Sequence, residues 1–85
     1  MKIKFYSDPG HGWGAVKRKV LIELGILDKI TSFSYQKGQT VYLEEDLDLA
    51  TLTTALALKG IVVSYTEKNS PHKYSQIRNY DRFVA

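Results

Sequence analysis

Two glycines, Gly25 and Gly60, each follow an apolar stripe at helical spacing and precede an isoleucine, thirty-five positions apart. A glycine there stops a helix; Gly25 would do so in the left-handed region, with Ile26 packing back on Leu21. Trp13, Val16, Val20 and Leu24 fall at i, i+3, i+7 and i+11, with Leu21 widening the stripe, which predicts a first helix from Trp13. Lys17 falls inside that stripe, where only snorkelling at its edge makes it tolerable. Leu49, Leu52 and Leu56 predict a second helix, with Asp46 or Asp48 as its N-cap.

Strand patterns surround both helices. Ile3 and Phe5 alternate with Lys2, Lys4 and Tyr6, and Asp8-Pro9-Gly10 ends that run. Thr31, Phe33 and Tyr35 alternate with Ser32, Ser34 and Gln36; a turn at Gln36 to Gln39 follows, then Val41 and Leu43 inward with Tyr42 outward. Ile61 to Tyr65 reads as a further strand. Ile77, Tyr80 and Phe83 fit a short terminal helix or a strand. The expectation is an α+β fold of ferredoxin-like β-α-β-β-α-β order, with an antiparallel sheet and both helices on one face. The other face would then present Lys2, Lys4, Tyr6, Tyr42, Glu44, Ser64 and Thr66. Ligand-binding ACT domains share that strand order, a likeness of fold alone.

With 85 residues there is room for one domain, read as a core over 1–67 and an irregular tail over 68–85. Its stability margin is small, so ligand binding or homodimer formation is expected to add to it. The absence of cysteine excludes disulfides and thiolate metal sites. Lys2 and Lys4 interrupt any leader-like apolar stretch and no segment is apolar enough for a bilayer, so the expected address is cytoplasmic, with no membrane partner. The net charge of +3 is uneven: residues 1–43 carry seven Lys or Arg against three acids, and residues 44–66 four acids against one lysine. Such a balance permits phosphate binding without requiring it.

The run Ser7-Asp8-Pro9-Gly10-His11-Gly12-Trp13-Gly14 departs furthest from what folding alone requires. Between a strand and a helix, its backbone amides would meet the positive end of the helix dipole, a setting that receives anions. Ser7, Asp8, Gly10, His11, Gly12 and Trp13 are therefore candidate ligand-binding residues, with Arg78 and Arg82 as counter-charges from one face of a terminal helix. The glycines would let a ligand approach the backbone, and Asp8 would cap the helix or accept from a ribose hydroxyl or base amine. A plain turn with Trp13 in the core is the alternative. Neither the Walker ending nor the dinucleotide fingerprint is present.

Catalysis has little support. Asp8 and His11 can form an acid–base pair for hydrolysis, but no nucleophile accompanies them. His11 and His72 are the only histidines, too few for a metal centre without carboxylates, so neither metal nor cofactor is expected. Glu44, Glu45, Asp46 and Asp48 do not have EF-hand spacing and read as a capping cluster. Tyr6 and Tyr42 on an open sheet are similar to base-stacking aromatics of RNA-recognition domains, but the third-strand motif is missing and Glu44 opposes phosphate, which makes nucleic acid the less favoured partner.

Ser7 to Trp13, Tyr35-Gln36-x-Gly38, Val41 to Asp46 and Ile77 to Tyr80 together resemble a group of small uncharacterised proteins of bacteriophages and mobile elements. That resemblance implies an accessory protein acting inside a bacterial host cell by binding, with counter-defence as one such role. Its partner would be a nucleotide-like or other anionic small molecule held by the glycine run. Alternatively it would be a host or defence protein met through Tyr6, Tyr42, Glu44 and Glu45. An RNA-binding module using the open sheet face is the third reading.

Overall fold

The computed structural model describes residues 1–69 and 74–85; His72 lies outside them. In chain order the elements are β1 (Lys2–Ser7), β2 (Gly12–Lys17), α1 (Arg18–Glu23), β3 (Tyr35–Lys37), β4 (Thr40–Glu44), α2 (Asp48–Leu58), β5 (Ser64–Asn69) and β6 (Asp81–Arg82). Single 3-10 turns occupy Leu27–Lys29 and Gln76–Asn79. The fold is α+β, but its sheet has six strands in the order β5-β1-β2-β4-β3-β6 and is mixed, because β1 and β5 run parallel. It is therefore not the simple antiparallel ferredoxin-like arrangement expected.

The difference begins at Gly12. The predicted first helix loses its first turn and a half to a strand, β2, which pairs with β1 across the turn at Asp8–His11. Gly12 and Gly14 each weaken a helix by about 1 kcal/mol relative to alanine. In the strand they occupy inward positions where a side chain would push its neighbours aside. A Cβ on Gly14 would stand 2.6 Å from Leu49 Cδ1, and one on Gly12 would strike the Phe5 ring. Lys17, a misfit in a helical stripe, becomes an exposed outward residue at the end of β2.

Part of the expected topology survives. β2 and β3 run the same way with β4 between them, so β2-α1-β3 is a split crossover. The α2 crossover then returns past both β2 and β1, and β5 lands on the outer side of the additional strand. Both helices cover one face, since Leu21, Leu49, Leu52 and Leu56 share a core with Ile3, Val16, Val41 and Leu43. Gly25 and Gly60 have φ of 71° and 72°, and the amides of Ile26 and Ile61 reach back to the carbonyls of Leu21 and Leu56. Both helices thus stop at the expected glycine, and the left-handed cap read at Gly25 is repeated at Gly60.

Other boundaries move. The third strand begins at Tyr35 rather than Thr31, with Phe33 exposed and Ser34 buried. Ser34 turns inward because its hydroxyl donates to the buried Asp48 carboxylate at 2.5 Å and accepts from the Glu44 amide at 3.0 Å. Asp48 also accepts from the Thr31 amide and hydroxyl, so neither it nor Asp46 caps α2. Glu44 instead accepts from the amides of Asp46, Leu47 and Asp48 at 2.6–2.9 Å. The last strand of the core starts at Ser64, not Ile61, and runs on to Asn69. Among the described residues of the tail, Gln76–Asn79 form a 3-10 turn and Asp81–Arg82 the strand β6, in place of a terminal helix.

Candidate functional site

Strand alternation and register put Lys2, Lys4, Tyr6, Trp13, Ala15, Lys17, Tyr35, Lys37, Thr40, Tyr42 and Glu44 on the face away from the helices. Ser64 and Thr66 join them from β5, as the sequence pattern predicts. This outer face is not bare throughout. Residues 74–80 cross it: the Tyr80 ring lies 5.2 Å from Tyr42, and the Arg78 guanidinium 5.5 Å from the Trp13 ring. The chain then pairs along β3 as β6 and turns under the sheet, where Phe83 joins the main core.

Asp8 anchors this crossing. Its side chain has no exposed surface, and its two oxygens accept from five donors. These are the amides of Gly10 and His11 at 3.0 Å, the Ser75 amide at 2.9 Å, and Arg78 Nε and Nη2 at 2.7 and 2.9 Å. The two-point contact with Arg78 is the largest cause holding the Asp8 carboxyl far below the usual carboxylate range. The three amide bonds act in the same direction, and burial opposes them. Asp8 in turn raises the Arg78 pKa.

These bonds change the reading of the glycine run. It joins two strands, so no helix N-terminus stands behind it. The Gly10 and His11 amides are already taken by Asp8, leaving no cradle for an anion. Asp8 meets the backbone of His11, and among the described residues no hydrogen bond joins it to the His11 ring, so the alternative of an Asp8–His11 acid–base pair is not formed here. Ser7 points to the helix side of the sheet and donates to Asn69 Oδ1 at 2.6 Å. Gly12 serves packing against Phe5, and a Cβ on Gly10 would stand 2.9 Å from Arg78 Nη2.

The remaining candidates converge elsewhere. His11, Trp13, Arg78 and Arg82 line one cleft of about 420 Å³ at the end of the outer face, together with Tyr35 and Glu44. Arg78 and Arg82 reach it from a 3-10 turn and a strand, not from one helix face. Trp13, only 2% exposed, forms part of the wall, with the Tyr35 ring edge-on at 6.2 Å and His11 at 6.1 Å. The Arg82 guanidinium lies 4.7 Å over Tyr35 and donates to the Ser32 carbonyl at 3.2 Å. Among the described residues the only ion pair is Arg78–Asp8, so the positive charge of Arg82 is unspent. Phe33 and Leu47, 64% and 49% exposed, add an apolar rim beside Asp46.

The second predicted set divides. Tyr6 and Tyr42 meet edge-to-face at 5.9 Å on the outer face. Burial, with Tyr80 and Tyr6 nearby, raises the Tyr42 hydroxyl pKa. Glu44 is held by the start of α2 and Glu45 lies on the helix side near Gly12, so the four do not form one docking patch. The acidic run is dispersed in the same way: among the described residues no group of His, Asp and Glu is placed to hold a metal ion.

Tyr35, Phe33 and Leu47 were not legible as site residues. A two-residue turn at Gly38-Gln39 fixes Tyr35 opposite Tyr42 and could have placed it. Phe33 has the strand parity of Tyr35 and is exposed on the same side of the chain. No helix among the described residues is long and apolar enough to cross a membrane. The chain matches no protein-family model, no curated protein and no solved structure.

Proposed function

We propose that the chain is a small non-enzymatic binding module, an accessory protein of phage type working inside a bacterial cell. Its ligand is nucleotide-like, with a planar ring and an anionic group, and occupies the cleft between Tyr35, Trp13 and the two arginines. The observation that carries this reading is the cleft itself: about 420 Å³, walled in part by aromatic rings, with Arg82 in no ion pair among the described residues although Glu44 and Asp46 share the lining. That volume falls in the range of small-molecule sites. Arg82 would meet the anion, and the aromatic wall would take the ring. Arg78, already neutralised by Asp8, holds the wall in shape.

Calorimetric titration with a panel of linear and cyclic nucleotides tests the proposal, comparing wild type with Arg82→Ala. Arg82 is exposed, so its removal leaves the core intact. Heat in the wild type that is abolished in the variant is the expected result. Absence of heat with every nucleotide refutes it. Trp13 is the single tryptophan, so a change in its fluorescence reports occupancy independently.

The exposed side chains of Phe33 and Leu47 favour a second reading, an inhibitor that docks on a host or defence protein. The contact would then lie at the cleft rim rather than at Glu44 and Glu45. A partner recovered from bacterial lysate and lost with Phe33→Ser and Leu47→Ser would support it. Recovery that ignores both changes would remove that surface from consideration.

A further inference from the structure

The outer face has a second, separate feature at the end away from the cleft. Ala15 is flanked across the strands by Lys4 and Tyr42, and its small side chain leaves a dip between larger neighbours. Tyr6 and Tyr42 form walls of the resulting recess of about 300 Å³, and Lys2, Lys4 and Lys17 rim it. Lys37 and Lys68 extend the same face through β3 and β5.

Among the described residues no acid lies on this half of the face. Pleating turns Glu67 and Asp81 to the helix side. Glu44, the one outward acid of β4, has its carboxylate on three amides at the start of α2. Among the described residues no ion pair involves any of the five lysines. A net charge of only +3 therefore conceals a face where cations stand alone beside aromatic rings.

We infer that this face binds single-stranded nucleic acid, with the lysines following the phosphates and one base entering the recess over Ala15, against the Tyr6 and Tyr42 rings. Cations along a path combined with exposed ring faces or edges are what such binding uses, and the interaction tolerates many sequences. A duplex keeps its bases stacked inside and cannot fill the recess. An anionic lipid surface would be attracted by the lysines but has no planar group to insert. The residues are distinct from Arg82, Phe33 and Leu47, so this inference does not depend on the cleft and its ligand.

The test is fluorescence anisotropy with a labelled short oligodeoxythymidylate and its RNA counterpart, each against a duplex of matched length. Wild type is expected to bind both single strands more tightly than the duplex, with affinity falling as salt rises. Lys4→Glu combined with Lys17→Glu changes two outward positions at the rim. It should lower affinity roughly tenfold or more and flatten the logarithmic salt slope by about 1.4, from two lost phosphate contacts at about 0.7 each. Circular dichroism confirms that the variant is folded. Arg82→Ala should bind like wild type, which separates this surface from the cleft. No binding at low salt overturns the inference. So does binding indifferent to the paired reversal, equal affinity for the duplex, or retention on phosphatidylserine vesicles alone.

Discussion

Replacing Asp8 by alanine removes the carboxylate that ties the β1–β2 turn to Ser75 and Arg78 of the segment crossing the outer face. Five donors lose their acceptor at once, but they do not lose equally. Gly10 and His11 are exposed and their amides can turn to water, whereas Ser75 is half-buried. The Arg78 side chain is 28% exposed, so its charge is partly rehydrated. Breaking a fully buried ion pair costs about 3–5 kcal/mol. The open side of Arg78 brings the expectation here to roughly 2–4 kcal/mol. For a domain of this size each kcal/mol moves the melting temperature by about 4–8 °C, so a loss of about 3 predicts a fall of roughly 12–24 °C.

Thermal unfolding at neutral pH measures that fall, and a double-mutant cycle with Arg78→Ala isolates the pair from the amides. A drop of less than about 3 °C, well under the predicted range, would refute the reasoning. The pH dependence supplies a second check. Asp8 is depressed in the folded state, so its contribution is complete above the unfolded carboxylate value of about 3.9 and is lost as pH falls through the lower folded value. Wild type should therefore lose stability on acidification below about pH 4 more steeply than Asp8→Asn does.

Gly14→Ala puts a methyl group 2.6 Å from Leu49 Cδ1 and should cost about 1–3 kcal/mol by overpacking, read by urea unfolding. Gly25→Ala meets no atom within 4 Å, yet its φ of 71° makes it destabilising by strain; an unchanged midpoint would contradict the C-cap assignment. Ser34→Ala leaves the Glu44 amide without its acceptor and Asp48 short of one donor, at about 1–3 kcal/mol in the same assay. Acrylamide should quench Trp13 poorly in wild type and efficiently in Asp8→Ala, because the segment covering it is released.

What the sequence made legible was mostly local. Gly25-Ile26 and Gly60-Ile61 marked both helix ends because a C-cap needs only neighbouring residues and a positive φ. The turn at Gly38 and the alternation of β4 were equally self-contained, and they gave the correct outer face. The mistake at β2 has a physical origin: Trp13 and Val16 are three apart, which suits one helix face or two strand faces. Here both faces are covered, so both residues are buried and burial did not discriminate. Lys17 and the two glycines favoured the strand, but a single charged residue is easily assigned to snorkelling. The site was less legible because its organising contact joins Asp8 to Arg78 across seventy positions, and no local pattern announces such a pair. Arg78 and Arg82 do line one cleft, but Asp8, a candidate ligand contact by its place in the glycine run, is the partner that neutralises Arg78.

The sheet order also has a consequence for how the molecule is made. Its four inner strands come from residues 2–44, and the two outermost, β5 and β6, come from the C-terminal third. On the ribosome the inner strands emerge first, with both rims of the sheet offering free amides and carbonyls to any neighbour. The parallel partner of β1 is not available until residue 69 has emerged, and the far rim waits until residue 82. The last segment therefore acts as an edge guard on both sides, and chains released before it should associate with one another rather than remain single.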